Sequence, residues 1–251
     1  MITAGKGRLV ALAAVAVGAT VALAGCASGN PLDNGSTGEA TSETLVIGSQ
    51  DYYSNEIIAE IYAQALEGAG FEVERKFNIG QRDAYMPDLE NGSIDLFPEY
   101  TGNLLQFFDP EATATTPDDV YTALQEALPD GLTVLDQSPA TDQDSYNVTK
   151  TFSEENGVTS LADLKDVTTP ITLGGNSELA TRPYGPEGLF LASNVVPVVS
   201  EKVTDEIAEI INTVSAALTA QDLVALNALS VDEQESADQI ASDWLAEKSL
   251  F

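Results

Sequence analysis

Between Thr44 and Gly102 the apolar residues switch repeatedly between strand and helix periods, and this alternation restricts the fold more than any other feature. Thr44-Leu-Val-Ile-Gly48 reads as a buried strand closed by a glycine turn. Ser54 is placed to cap a helix with Ile57, Ile58, Ile61, Tyr62 and Ala65 at helical spacing, and Gly70 to end it. Phe71 to Phe77 alternates apolar and polar residues as a strand does. Gln81 to Glu90 reads as a second helix, stopped by Asn91-Gly92. Ile94 to Phe97 is a third strand, entering the loop Pro98-Glu-Tyr-Thr-Gly102. Strand, helix, strand, helix, strand in this order predicts a parallel-type α/β sheet.

A second run follows. Pro117 to Leu128 is helical, with Asp118 and Asp119 favourably placed in its first turn. Leu132–Leu135, Ser145–Thr149 and Pro170–Leu173 read as strands, with a short helix over Ser160–Lys165. Asn194 to Val199 is a further strand, in which Pro197 suits an edge or a crossing segment better than a sheet centre. The tail divides into helices over Thr204–Leu218, Ala220–Leu229 and Val231–Leu245. Two α/β units and a helical C-terminus predict a two-lobed body with a cleft. Binding loops then fall at the strand carboxyl ends, at Gly48-Ser49-Gln50, Pro98–Gly102 and Gly174-Gly175-Asn176.

Composition narrows the chemistry. With 40 Asp+Glu against 10 Lys+Arg, the net charge of −30 argues against a nucleic-acid partner. No histidine is present, which removes Ser-His-Asp and Cys-His nucleophiles and His-ligated metals. The single cysteine removes an internal disulfide and a thiolate zinc cage. Asp95 and Glu99 fit a strand end, but no base, metal-ligand set or nucleophile elbow accompanies them, so a hydrolase is the weakest alternative. Asp142 and Asp144 hint at calcium yet lack an EF-hand pattern. No metal or other cofactor is implied.

The N-terminus reads as a targeting segment. Lys6 and Arg8 precede an apolar run from Leu9 to Leu23, which is shorter than the roughly 20 residues of a membrane span. It ends on Leu23-Ala24-Gly25-Cys26, the only cysteine, and resembles a bacterial lipoprotein signal whose cysteine is acylated; the competing reading is an uncleaved anchor. Residues 27–43 are polar and small, a flexible tether. Counted from Cys26, the chain keeps all its acids and loses Lys6 and Arg8, so its side-chain charge moves from −30 to −32. The acidic surface admits two readings, solubility or long-range steering of a cationic ligand.

The segments IGSQDYYSNEIIAEIYAQAL, NGSIDLFPEYTGNLL, DSYNV, LGGNSELATRPYGPEGL and NVVPVV together cover most of the chain beyond Cys26. They resemble the substrate-binding lipoproteins of glycine betaine, choline and related osmoprotectant ABC importers. The resemblance implies a type II periplasmic-binding-protein fold: two α/β lobes that close on ligand about a hinge. It implies a lipid-anchored monomer on the outer face of the cell membrane that delivers its cargo to an ABC permease. Its division of the chain is signal over 1–25, tether over 26–43, first lobe over 44–106 and 194–251, and second lobe over 107–193. A quaternary ammonium has no N–H to donate and is best held by aromatic faces.

By resemblance, Tyr100 and Tyr146 form walls of an aromatic cage, and Arg182 contacts a ligand carboxylate. Thr101 and Asn103 add polar contacts, and Tyr184 lies close by in sequence. Tyr52 and Tyr53 either line the cleft or pack on the first helix. Gln50, beside Asp51, stands where family members often carry a basic residue. One departure is large. Relatives carry several tens of residues between the segments matching Gly185–Leu189 and Asn194–Pro197, whereas here only Phe190–Ser193 joins them. The second lobe is therefore expected to be shortened, leaving either impaired binding or a smaller, more open site.

Overall fold

The structure is a computed structural model that describes residues 44–142, 146–172, 174 and 191–251. Strands β1 (Leu45–Gly48), β2 (Val73–Lys76) and β3 (Leu96–Tyr100) alternate with helices α1 (Tyr53–Gly68) and α2 (Arg82–Glu90). There follow α3 (Thr101–Phe108), α4 (Pro117–Ala127), β4 (Leu132–Val134), α5 (Lys150–Asn156), a 3-10 turn over Leu161–Asp166, β5 (Val195–Ser200), α6 (Asp205–Ala217), α7 (Ala220–Asp232) and α8 (Ala237–Lys248). The five strands form one sheet in the order β2-β1-β3-β5-β4. Its first three strands are parallel, as their alternation with helices predicts, and β5 runs antiparallel between β3 and β4.

The sheet is covered on both faces. Leu45, Ile47, Leu96, Tyr100, Val195 and Val199 face a core built with α1, α6, α7 and α8. Phe97, Val196, Val198, Leu132 and Val134 face a second core with α2, α3 and α4. The period-two side-chain alternation of β5 thus feeds two apolar layers at once. Gly48 ends β1 where the backbone passes the Phe97 ring, and a Cβ there would lie 2.7 Å from that ring. At the open edge, β2 carries Glu74, Arg75 and Lys76, charges that discourage pairing with another chain.

Several boundaries differ from expectation. The second helix starts at Arg82 behind Gln81, and the last helix starts at Ala237 behind the cap of Ser236. α1 begins one residue before Ser54, and Ser54 Oγ is buried without a partner, because Tyr52 takes the N-cap position. Pro98–Tyr100 is strand rather than loop, and Thr101-Gly102 open a helix the apolar pattern did not reveal.

Pro197 is central, not at an edge, because the β-ladder does not need its missing N–H. It stands opposite Pro98, so neither proline donates there. Its carbonyl accepts from Leu135 N at 2.9 Å. The Leu135 carbonyl, left without a proline donor, accepts from Tyr121 Oη at 3.0 Å.

The stretch from 107 to 193 behaves in two ways. Its first part, α4 and β4, belongs to the sheet and its second core. The strands expected over 145–149 and 170–173 do not form at the described residues 146–149 and 170–172. A strand needs a hydrogen-bonding neighbour, and no partner strand lies beside either segment among the described residues. Among the described residues no single helix is long and apolar enough to cross a membrane. Cys26 and the tether lie outside the described residues.

Candidate functional site

The carboxyl ends of β1 and β3 and the start of α1 meet at one point. Asn55, in the first turn of α1 and fully buried, ties them together. Its Oδ1 accepts from Gln50 N at 2.8 Å, and its Nδ2 donates to Pro98 O at 2.8 Å and to Tyr100 Oη at 3.3 Å. Tyr52 stacks on Tyr100 with ring centroids 6.4 Å apart and planes 26° from parallel. Tyr100 is buried and Tyr52 half-buried. Burial, together with the nearby Asp142 charge, pushes the Tyr100 phenol well up. Burial, the Tyr100 ring and Asp142 do the same to Tyr52. Both phenols stay neutral, and a neutral ring presents its face to a cation while its hydroxyl hydrogen-bonds.

The motif Pro98-Glu-Tyr-Thr-Gly102 is built position by position. Glu99 points to the opposite face from Tyr100 and is fully buried. Its carboxylate accepts from Arg82 Nε at 2.8 Å and Arg82 Nη2 at 2.9 Å, from the Tyr85 hydroxyl, and from Tyr100 N at 3.0 Å. The Arg82 guanidinium also lies 5.7 Å from the centroid of the Phe107 ring. Burial and the Glu99 charge push the Tyr85 phenol up, so it remains a donor. The fork of two parallel N–H···O bonds is the strong geometry for this pair. Glu99 therefore fixes the backbone from which the Tyr100 ring projects.

Thr101 is buried, and its hydroxyl donates to Ala192 O at 3.2 Å and accepts from Asn194 N at 3.0 Å. Its N–H donates to Asn194 O at 2.9 Å. Those bonds tie the head of α3 to the chain entering β5. A Cβ on Gly102 would meet Ala192 O at 2.6 Å, so only glycine lets the two backbones pass. Asn103 N donates to Ser193 Oγ at 3.4 Å, with its side chain half-buried.

Of the residues singled out in the sequence, Tyr100, Tyr52 and Gln50 come together here, with Thr101 and Asn103 at the adjoining crossing. Tyr53 is exposed. Tyr146 is half-buried in an irregular segment. Arg182, Tyr184 and Asp144 lie outside the described residues. Asn55, Arg82 and Tyr85 were missed. For Asn55 the signal was an amide in the first turn of a helix whose preceding loop is polar. For Arg82 it was the scarcity of arginine, four in the chain, beside an acid in a strand. Among the described residues no group of three or more acidic or cysteine side chains is placed to hold a metal ion.

A five-stranded sheet with helices packed on both faces makes this an α/β body, and it matches periplasmic-binding-protein-like structures in fold. The chain belongs to the family of substrate-binding domains of ABC-type glycine betaine transport systems, whose model matches residues 43–189 and 184–247. The two matched pieces overlap at residues 184–189.

Glycine betaine-binding protein YehZ of Escherichia coli (strain K12) is 29% identical over 122 residues, 47% of this chain and 40% of that protein. The match thus spans well under half of that relative's length. The apo structure of YehZ from Escherichia coli superposes with a TM-score of 0.62 at 21% identity, covering 83% of this chain and 100% of that one. The structure of a glycine betaine/carnitine/choline ABC transporter protein gives 0.66 at 14% identity, covering 82% and 99%. A choline-binding protein in complex with choline gives 0.51 at 12% identity, covering 82% and 89%. At these identities the likeness is one of fold.

Proposed function

We propose that this chain is the extracytoplasmic substrate-binding protein of an ABC importer, capturing a quaternary-ammonium osmoprotectant in an aromatic cage and delivering it to the permease. The observation that carries the reading is the stacked Tyr52–Tyr100 pair at the strand ends, locked by Asn55 and by the Glu99–Arg82 fork. Each aromatic face contributes about 0.5–2 kcal/mol to holding a desolvated cation. Tyr146 and Tyr184 would extend the cage from the second lobe, Arg182 would take a ligand carboxylate, and Gln50 would border the pocket with no charge of its own. Thr101 and Asn103 act in this reading through the crossing they hold. Acylated Cys26 would anchor the protein as a monomer outside the cell membrane, with the polar tether giving it reach.

The test is a melting screen of the full chain against glycine betaine, carnitine, choline and proline betaine. A saturable rise in Tm with at least one of them is expected, following the logarithm of ligand concentration. No shift with the whole class would sink the reading. A second reading, a surface scaffold derived from such a protein that no longer binds, is favoured by one observation. Residues 146–172 hold only a short helix and a 3-10 turn, with no strand to complete a second wall. The same screen separates the two.

A further inference from the structure

The amide of Asn55 can face only one way. A backbone N–H, that of Gln50, stands 2.8 Å from one end, and a backbone carbonyl, that of Pro98, stands 2.8 Å from the other. Turning the amide over would set N–H against N–H and oxygen against oxygen in a fully buried place. The oxygen is therefore on the Gln50 side, and the NH2 group holds the Pro98 side. Its first hydrogen goes to Pro98 O, and its second points at Tyr100 Oη, 3.3 Å away. An amide NH2 donates and does not accept, so the Tyr100 hydroxyl is the acceptor in that contact and keeps its own proton for another partner.

The count extends to the stacked partner ring of Tyr52. Two phenol hydroxyls carry two protons. A bond between them uses one, whichever ring donates, and the proton supplied by Asn55 leaves the other to point out of the pair. Had Asn55 shown Tyr100 its carbonyl, Tyr100 would donate inward and Tyr52 to Tyr100, with none left over.

We infer that Asn55 sets the Tyr52–Tyr100 pair as an outward hydrogen-bond donor, which reads an acceptor oxygen on the ligand while the ring faces hold its ammonium. The inference rests on the cage reading above and adds the substrate class: quaternary ammonium compounds that carry an acceptor oxygen, with a carboxylate the strongest acceptor because the bond is charge-assisted. Asn55 touches no ligand and is a positioning residue. A cation with no oxygen meets the same ring faces and gains nothing from the hydroxyls.

The full chain should be titrated calorimetrically with glycine betaine and with tetramethylammonium chloride, which has the cation and no oxygen. The double variant Tyr52→Phe/Tyr100→Phe keeps both rings and removes both hydroxyls. It is expected to weaken betaine about tenfold or more and to change tetramethylammonium by less than about twofold. Asn55→Asp presents only oxygen to Tyr100, as a carboxylate or as an acid whose proton bonds Pro98 O, so it turns the Tyr100 donor inward. It should lower the betaine-to-tetramethylammonium affinity ratio as the double variant does, although both hydroxyls remain. An unchanged ratio in the double variant overturns the inference and leaves the cage reading intact. Equal losses for both ligands in an Asn55→Asp chain with a normal melting transition show a merely structural Asn55 and overturn it too. Should Asn55→Asp not fold, the double variant decides. If neither ligand binds the wild-type chain, the cage reading fails and takes the inference with it.

Discussion

Residues 44–142 with 191–251, and residues 146–172, are built on opposite principles. In the first region every site group is tied to something distant in sequence: Asn55 to Pro98 and Tyr100, Arg82 to Glu99, Thr101 to Asn194. In the second, the bonds that build α5 and the 3-10 turn are local. Thr149 caps α5 through Phe152 N at 3.1 Å, Ser153 Oγ reaches Val158 O, and Asp163 accepts from Thr159 and Ser160. α5 and the 3-10 turn bury none of their own residues, while Val148, Leu161 and Ile171 are exposed. Long-range bonds report on global folding, whereas local ones open separately at low cost. The Tyr52–Tyr100 side of the proposed cleft is thus preorganised, while α5 and the 3-10 turn are held mainly by bonds within themselves.

The largest break in the first region should come from Arg82→Ala. It leaves the fully buried Glu99 carboxylate without its counter-charge, and losing one member of such a pair costs about 3–5 kcal/mol. Chemical denaturation should show the midpoint falling with unchanged slope; a loss under about 1 kcal/mol would mean that Glu99 finds water or a proton instead. Tyr100→Ala should lose a similar amount, about 3–5 kcal/mol, through the cavity it leaves beside Leu96 and Val195, and should abolish ligand-dependent stabilisation as well. Tyr52→Ala separates those effects, because its half-buried ring contributes less to the core: binding should fall with a smaller stability loss.

Next in size is Gly102→Ala. Its added methyl is driven toward Ala192 O, and overpacking of this kind costs about 1–3 kcal/mol. Since the crossing that Gly102 permits also positions Tyr100, ligand affinity should fall along with the melting temperature. A variant with normal stability and normal affinity would show that the crossing is not part of the site.

Asp222 tests the first region through pH. Burial raises its pKa, but the Lys248 ammonium at 2.7 Å and the Thr219 hydroxyl and N–H outweigh that and hold it at about 2. A carboxyl whose folded pKa is depressed stabilises fully above its unfolded value, about 3.9, and loses that contribution as pH falls through about 2. Asp222→Asn should therefore destabilise near neutral pH and converge with the wild type at low pH. Parallel curves across that window would show that Asp222 acts through shape, not charge.

The same contrast explains what could be read from the sequence. The first three strands and their helices were legible because period and turn chemistry agree there, from Leu45 to Glu90. Pro197 misled because its tolerance depends on Pro98 directly opposite, about a hundred residues away, and on Tyr121 for a neighbouring carbonyl. Pro98–Gly102 read as a loop because each residue answers to a partner elsewhere: Arg82 for Glu99, Tyr52 for Tyr100, Ala192 for Gly102. Tyr52 and Tyr100 were visible as candidates, but the amide of Asn55 that joins them carries no periodic signal. The strands expected at 145–149 and 170–173 had the right residue types, and residue types do not supply a neighbouring strand.

The smallest expected effect is the one that isolates the second region. Thr149→Ala removes the hydroxyl that accepts from Phe152 N at the head of α5, a change worth about 1 kcal/mol to the helix itself. α5 has seven residues and buries none of them, so the helix is not coupled to the sheet. The global melting temperature should therefore stay within error of wild type, while amide exchange across residues 150–156 accelerates several-fold. The matching cap of α7, Thr219, accepts from Asp222 N at 3.1 Å in a helix that buries Leu223 and Leu226 against the core. Thr219→Ala should accordingly lower global stability by about 1 kcal/mol. If saturating ligand made the two caps behave alike, with Thr149→Ala then lowering Tm, the second wall would be ordered by binding and not by its own sequence.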